Sequence, residues 1–542
     1  MRVVVDLTRC QGYGQCAFLA PDVFTMRGRE ALMYDPDPAD DQREQVLRAA
    51  AACPVQALHV DRMTTQHRTV RPELPPSPTG GDDDFKRNGR IVIVGASLAG
   101  GRAAGVLRRD GFTGSLTLIG DEDHQPYDRP PLSKQVLTGR VSAEGTTLPH
   151  LREIEVEWLA GTPATGLDLA AKQVGLADGR RIGFDKVLIA TGARARRWPN
   201  ETEAGLDGVH VLRTLEEAEL LRERLDAGVK RVLVVGAGFT GAEVASVCRG
   251  LDLPVTVVES GAAPLVGALG GVVGAVAADL QRENGVDLRC EVKVTSLEGD
   301  DQGRLTGARL SDGSMVEADV AVIALGAVRN VEWLRNSGLA AGPWGVATDA
   351  GCRAVDVNGL VTDDVFVAGD VARFPHPVYH YQFMSLEHWG NAIAQAEIAA
   401  HNMLSDQAHR WPHLSLPVFW SLQFGVNIKS VGVPTFADEV VIAHGSVEER
   451  RFVAVYGYQG RITAAVTFDQ AFWLDFYRRL IEQAAPFPPD FRVVDRQDGA
   501  RPVPAEVSQR VVPAQGATVM VTGHDPGERR VALANIQDEA RH

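Results

Sequence analysis

The sequence predicts an α/β multidomain protein: a small N-terminal α+β unit, two doubly wound domains nested one inside the other, and a C-terminal α+β domain. Three observations predict it. At 542 residues the chain exceeds what one hydrophobic core serves, and length alone calls for three or four domains. A short apolar strand running into a small-residue turn and a helix occurs twice, at Gly95-Ala-Ser97-Leu-Ala-Gly100 and at Gly236-Ala-Gly238-Phe-Thr-Gly241. After Trp411 the texture changes to alternating strands, with Phe452 to Tyr458, a Gln459-Gly460 turn and Ile462 to Phe468 reading as a hairpin.

Composition bounds the function. Hydrophobic residues make up 45% and charged residues 23%, an ordinary soluble globular balance. The formal net charge of -15 argues against nucleic-acid binding, which needs clustered Lys and Arg, and suits a partner with a basic docking patch. The 6 cysteines form no even framework, so disulfides are not expected and a reducing, cytoplasmic setting is. The apolar run in Met1 to Asp6 is too short for a signal peptide. Gly261 to Ala278 is uncharged but rich in Gly and Ala, holds Pro264 and is bracketed by Glu259 and Asp279. It reads as a soluble segment beside a nucleotide site, and no membrane insertion is expected.

Residues 1–66 form the first unit, with strand-like ends at Val3 to Val5 and Ala57 to Val60 and a helix from Asp40 to Ala52. So small a unit has little core and would gain from a metal staple. Residues 67–89, with Pro and Gly from Arg71 onward, read as a linker. The outer doubly wound domain takes residues 90–200 and 325–410: strand Arg90 to Val94, helix Gly101 to Arg109, strand Leu116 to Ile119, and strand Val187 to Ala190. The inner domain, residues 201–324, repeats the pattern with strand Arg231 to Val235, helix Ala242 to Gly250 and strand Val255 to Glu259. Strand Val320 to Leu325 returns the chain to the outer domain. Residues 411–489 form the C-terminal domain, closed by a helix from Leu474 to Gln483. Residues 490–542 are a polar extension of unread role, with a strand expected near Gly516 to Thr522.

Cys10, Cys16 and Cys53 carry the first chemical signal. Thiolates are soft ligands for iron-sulfur clusters and zinc, but paired Cys-x2-4-Cys or His-x3-5-His ligands typical of zinc do not occur. Cys10-Gln-Gly-Tyr13-Gly-Gln-Cys16 followed by Cys53-Pro54 matches the bacterial Cys-x2-Cys-x2-Cys and Cys-Pro run with Tyr13 in place of the middle cysteine. Three cysteine ligands fit a 3Fe-4S cluster better than a 4Fe-4S cluster. Gly12 and Gly14 keep the loop small and let backbone amides approach the sulfurs. The alternative, three inert buried cysteines, sits poorly with so polar a loop. Cys248, Cys290 and Cys352 lack such spacing and read as packing residues.

The two glycine-rich turns read as dinucleotide sites, because backbone N–H groups at a helix N-terminus meet a pyrophosphate there. Gly95, Ser97 and Gly100 form the first, with Ser97 where the second glycine is usual. Asp121 or Glu122 would bind its adenosine ribose. Gly236, Gly238 and Gly241 form the second. Glu259 ends its second strand, can accept from both ribose hydroxyls and would repel a 2′-phosphate, so NADH is expected over NADPH.

On these residues, 1–66 resemble the single-cluster ferredoxins of actinobacteria that serve cytochrome P-450 enzymes. Residues 90–489 resemble the FAD-containing, NADH-dependent ferredoxin reductases related to putidaredoxin reductase and the reductases of aromatic-ring dioxygenases. The motifs are Pro126-Tyr-Asp-Arg129-Pro-Pro-Leu-Ser-Lys134, Ala190-Thr191-Gly192, Val365-Phe-Val-Ala-Gly-Asp370-Val371-Ala, Glu387-His-Trp389-Gly-Asn-Ala and Pro417-Val-Phe-Trp-Ser-Leu422-Gln-Phe-Gly, the last with Leu422 where that family usually has Asp. The resemblance implies a ferredoxin fold, FAD-binding and NAD-binding doubly wound domains and a C-terminal interface domain. It implies FAD contacts from Gly95, Gly100, Arg129, Lys134 and Asp370, with Ser97, Thr191, Gly192, Val371 and Trp389 in the same set. It places Lys134 near the flavin ring and Glu243 near the nicotinamide. A glutamate in the first turns of a helix is equally read as a favourable dipole partner.

The expected activity is electron transfer from NADH through FAD to the chain's own cluster, then to a cytochrome P-450 monooxygenase. Three alternatives were weighed. A ring-hydroxylating dioxygenase would more often use a two-iron ferredoxin of different cysteine spacing. A non-catalytic NADH-sensing flavoprotein would show no NADH-driven reduction of cytochrome c. A disulfide reductase needs a redox cysteine pair beside the flavin, and Gly101 to Arg109 has none.

Overall fold

A computed structural model describes residues 1–61, 83–148 and 154–489, together with the strand backbones Val503–Pro504, Thr518–Thr522 and Arg530–Ala534. The N-terminal lobe runs β1 (Val3–Val5), α1 (Gln15–Leu19), β2 (Phe24–Arg27), β3 (Ala31–Tyr34), α2 (Arg43–Ala52) and β4 (Leu58–Val60). β1 pairs antiparallel with β4, and β2 with β3. Its core is small: Val3, Val5, Phe24, Leu32, Tyr34, Val46 and Leu58, with Cys10, Cys16 and Cys53 packed at the edge.

Most of the expected linker, residues 67–82, lies outside the described residues. Its last part does not: Asp83–Asn88 is a helix, and Phe85 meets Phe112 at 5.7 Å between ring centroids. The aromatic anchor and the absence of Pro or Gly in that stretch override the loop-like composition before it.

The outer doubly wound sheet has six strands in the order Arg353–Val355, Val361–Val367, Lys186–Ile189, Arg90–Val94, Ser115–Ile119, Glu157–Leu159. All but the first pairing are parallel. Such strands are covered on both faces, which is why they read as unbroken Val, Ile and Leu runs. Helices Leu98–Arg109 and Trp389–Leu404 pack on one face through Ala103, Leu107, Ala396 and Ala400. The inner sheet is fully parallel, in the order Val209–His210, Val320–Ile323, Val232–Val235, Val255–Val258, Asp287–Arg289. Val320–Ile323 thus pairs within the inner sheet, and the chain crosses back only after it. In both units the helix starts earlier than its hydrophobic pattern, at Leu98 and Phe239, because the glycine turn leads straight into the first helical turn.

The C-terminal sheet is antiparallel, ordered Val418–Gln423, Val426–Gly432, Arg461–Phe468, Arg451–Tyr458, Glu439–Ser446 and Val503–Pro504. The predicted hairpin turn has φ of 47° at Gln459 and 74° at Gly460, the left-handed pair a two-residue hairpin turn needs. Helix Leu474–Glu482 covers the sheet. In the extension, strand Thr518–Thr522 pairs with Arg530–Ala534. The uncharged Gly261 to Ala278 stretch lies largely in helix Val266–Glu283, and among the described residues no helix is long and apolar enough to cross a membrane.

Phe112 is fully buried between the Asp83–Asn88 helix and the outer sheet. Phe112→Ala is expected to cost about 3 to 5 kcal/mol, read by urea unfolding of the full chain.

Candidate functional site

Two glycines shape the outer turn. Gly95 has φ of 116°, and a Cβ there would meet the Ala190 carbonyl oxygen at 2.1 Å. A Cβ on Gly100 would meet the Gly95 oxygen at 1.9 Å, so this glycine serves helix-strand packing. Ser97 begins the helix without capping it through its side chain, which leaves the first-turn N–H groups turned to a cavity of about 660 Å³. That volume suits a cofactor.

Gly95, Ser97, Asp121, Glu122, Arg129, Lys134, Thr191, Gly192, Glu243, Asp370 and Trp389 all line this cavity. Two of the expected FAD contacts do not. Gly100 lies behind the turn. Val371 is fully buried in the core beneath, because the strand ending at Val367 turns its apolar side chains inward while Asp370 faces the cavity. No cysteine is among the lining residues.

The cavity wall is built from paired charges. Arg129 donates to Glu122 Oε1 at 2.6 Å and to the Arg213 carbonyl at 2.7 Å, and its guanidinium lies 4.8 Å from the Tyr127 ring centroid. Tyr127 donates to the other Glu122 oxygen. Both Glu122 oxygens are thus engaged within the protein, which leaves Asp121 as the freer of the two carboxylates for a ribose. Arg213, absent from the motif reading, holds Asp370 at 2.5 Å. Thr191 Oγ1 donates to the Asn330 carbonyl at 2.8 Å, and Asn330 Nδ2 returns a bond to the Thr191 carbonyl at 2.8 Å.

Three segments converge on Glu243, which is buried. Lys134 Nζ and Ser133 Oγ each donate to its Oε2 at 2.6 Å, and Ser421 Oγ donates to Oε1 at 2.8 Å. Ser133 and Ser421 were missed, although both stand inside motifs that drew attention for other residues. Glu243 is therefore more than a helix-start charge.

The inner turn repeats the first. Gly236 has φ of 101° and a Cβ would meet the Ala324 oxygen at 2.5 Å; at Gly241 it would meet the Gly236 oxygen at 2.0 Å. A Cβ on Gly238 would meet nothing within 4 Å, so open space for a phosphate lies over that position. Glu259 follows the strand, and its two oxygens accept from the backbone N–H of Ala237 at 2.8 Å and of Gly261 at 2.6 Å. The carboxylate is thereby fixed at the mouth of the turn.

In the N-terminal lobe the three predicted thiols are half-buried and close enough to sense one another. Burial, then the neighbouring Cys10 and Cys53, push the Cys16 thiol up to about 11. The Ala57 N–H points at Cys53 Sγ, 3.4 Å away. Gly12 and Gly14 have φ of 72° and 71°, and a Cβ on Gly12 would strike Glu30 at 2.7 Å. Among the described residues no trio of His, Cys, Asp or Glu is close enough to chelate a single metal ion. Cluster cysteines bind different irons, and three half-buried soft thiols on one edge of the lobe fit a cluster. Tyr13 is 56% exposed and donates to Gln11 Oε1 at 2.8 Å, which turns it away from ligand duty.

The lobe sits beside the large cavity. Lys429, 1% exposed on strand Val426–Gly432, donates to the Leu7 carbonyl at 2.7 Å and to the Cys10 carbonyl. A small void of about 30 Å³, lined by Cys10, Lys134, Trp420, Leu422 and Lys429 among others, separates the thiol loop from the cavity wall. Tyr34 on β3 reaches Asp128 Oδ2 at 3.5 Å, and Trp389 Nε1 donates to Asp128 Oδ1 at 2.9 Å. Burial raises Asp128 to about 6, against the pull of Trp389, Lys134 and Tyr34.

Comparison with known proteins identifies the parts. The pyridine nucleotide-disulphide oxidoreductase family matches residues 89–396, and the chain belongs to it. A reductase C-terminal domain matches residues 418–499 and a 4Fe-4S single cluster domain residues 3–60. The ferredoxin--NAD(+) reductase component of the p-cumate 2,3-dioxygenase system of Pseudomonas putida is 36% identical over 63% of this chain and 81% of its own length. Putidaredoxin reductase of Pseudomonas putida is 31% identical over 74% and 94%. Its solved covalent complex with putidaredoxin superposes with a TM-score of 0.67 at 29% identity, covering 74% of this chain and 94% of that one.

The Asp128 shift has a defined sign. Its carboxyl, raised from 3.8 to about 6, contributes stability that is full below pH 3.8 and lost as pH rises through about 6. Asp128→Asn is expected to flatten that part of the stability profile, measured as thermal midpoints between about pH 4 and 7.

Proposed function

We propose that this chain is a cytoplasmic, NADH-dependent ferredoxin reductase that carries its own ferredoxin and supplies electrons to a cytochrome P-450 monooxygenase. The observation that carries the reading is the seating of the three-thiol lobe on the cavity wall, with the Cys10 loop held by Lys429. Bound FAD would accept a hydride from NADH, and a bound cluster would take up electrons one at a time.

The residues divide the work. The Gly95 to Gly100 turn, Asp121 and Asp370 would hold FAD. The Gly236 to Gly241 turn and Glu259 would hold NADH, with the fixed Glu259 carboxylate repelling a 2′-phosphate. Lys134 and Glu243 stand as a buried ion pair in the cavity wall, where they would orient both rings and exclude water. Cys10, Cys16 and Cys53 would hold the cluster. The lobe's family is described as a 4Fe-4S domain; the exposed Tyr13 side chain in place of the middle cysteine supports three irons here.

The relatives' names include both dioxygenase systems and putidaredoxin reductase. The P-450 acceptor is favoured because the lobe's cysteine spacing differs from that of two-iron ferredoxins.

The test is an anaerobic NADH titration followed by absorbance and electron paramagnetic resonance. NADH is expected to bleach the flavin and then change the cluster signal. Cys16→Ala is expected to abolish the cluster signal while flavin bleaching persists. Flavin bleaching in the intact chain with no change at the cluster sinks the reading.

A further inference from the structure

The N-terminal lobe has one face bound and one face bare. On the bound side, Lys429 holds the Leu7 and Cys10 carbonyls, Gln11 Nε2 donates to Asp475 Oδ2 at 2.8 Å, and the Ala471 N–H donates to Glu30 Oε2 at 2.9 Å. At the other end Arg2 Nη1 donates to the Gly145 carbonyl at 2.8 Å, and Val4 packs with Leu148 and Trp389. Gly28, with φ of 61°, lies so close to Gly425 that a Cβ would stand 1.9 Å from its carbonyl oxygen. Contacts at both ends oppose hinged opening. A buried ammonium that lost its carbonyl acceptors before reaching water would be costly.

The bare side carries α1, the helix that holds Cys16. Phe18, two residues on and so on the helix face turned away from Cys16, is 85% exposed, and Leu47 on α2 is 46% exposed. α1 packs against α2, so this is one surface. Neither Phe18 nor Leu47 joins the lobe's own apolar core, so this face keeps exposed apolar area on two packed helices. The exposed carboxylates Asp22 and Asp41 stand in the chain three residues after α1 and two before α2. The two arginines of α2 are engaged, Arg43 by Asp61 at 2.6 Å and Arg48 by Glu44.

We propose that the lobe delivers electrons without leaving the reductase. They arrive on the Cys10 side and leave across α1, the helix that carries Cys16, where Phe18 and Leu47 on the outer face receive the terminal acceptor. That acceptor is a protein with an apolar patch rimmed by cations, complementary to these apolar groups and to the carboxylates near them in the chain. The inference rests on the electron-transfer reading above. One NADH gives two electrons, so each turnover reduces two one-electron acceptors and releases NAD(+) and one proton.

The test pins the lobe in place. Arg2→Cys and Glu144→Cys, in a full-length Cys290→Ser background, are joined by a short bismaleimide. Cytochrome c, a basic one-electron acceptor protein, is the acceptor used, and the rate of the Cys16→Ala variant is subtracted to remove direct reduction by flavin. Pinned and unpinned proteins are expected to reduce cytochrome c at rates within about twofold, with NADH-driven cluster reduction equal in both. A fall of about tenfold in cytochrome c reduction with cluster reduction intact means that the lobe must lift, and overturns the proposal. Phe18→Ser is expected to raise the KM for cytochrome c about tenfold while cluster reduction by NADH is unchanged; an unchanged KM removes this face as the docking site. A cluster that NADH never reduces in the unpinned chain overturns the electron-transfer reading itself, and this proposal with it.

Discussion

The architecture turns on one buried carboxylate. Glu243 belongs to the inner doubly wound domain, Lys134 and Ser133 to the outer one, and Ser421 to the C-terminal sheet. An isolated buried charge is expensive, so the carboxylate is tolerable only while these donors surround it. Losing Lys134 or Glu243 would leave a buried unpaired charge, and losing Ser421 would leave Glu243 Oε1 without its hydroxyl donor. Together these groups couple three domains in the wall of the cavity that the Gly95 turn also lines. Buried pairs contribute little net stability, and their gain lies in position.

The lobe follows the same logic at its own edge. Lys429 spends its charge on two backbone carbonyls of the thiol loop, and Asp128 joins Tyr34 of the lobe to Trp389 of the cavity wall. The void between Cys10 and Lys134 is about 30 Å³, near the share of liquid volume that one water takes. The geometry thus brings the lobe and the nucleotide cleft to near contact through a narrow seam that includes Leu422 and Trp420.

What the sequence disclosed was local. Strand, turn and helix succeed one another within 20 residues or so, and apolar runs with small-residue turns are legible at that range. The Gln459-Gly460 hairpin and the thiol loop belong to this class. What escaped was non-local. Ser133 and Glu243 are 110 positions apart, Ser421 and Glu243 178, and Lys429 and Leu7 422. No periodicity links such residues, and Arg213 had no motif to mark it. Val371 stands next to Asp370 in its motif, yet its side chain packs in the core, because motif adjacency says nothing of which side of the chain faces a cavity. The Asp83–Asn88 helix was hidden by the Pro-rich stretch before it.

The contact of Gly28 with Gly425 has a consequence for selectivity. A surface that admits a bare backbone and no side chain rejects any ferredoxin bearing even a methyl group at that point. The seat is filled by a lobe of the same chain, and at that point it has no room for a side chain. On the electron path proposed above, a missing Cβ would keep what NADH gives on the chain's own lobe.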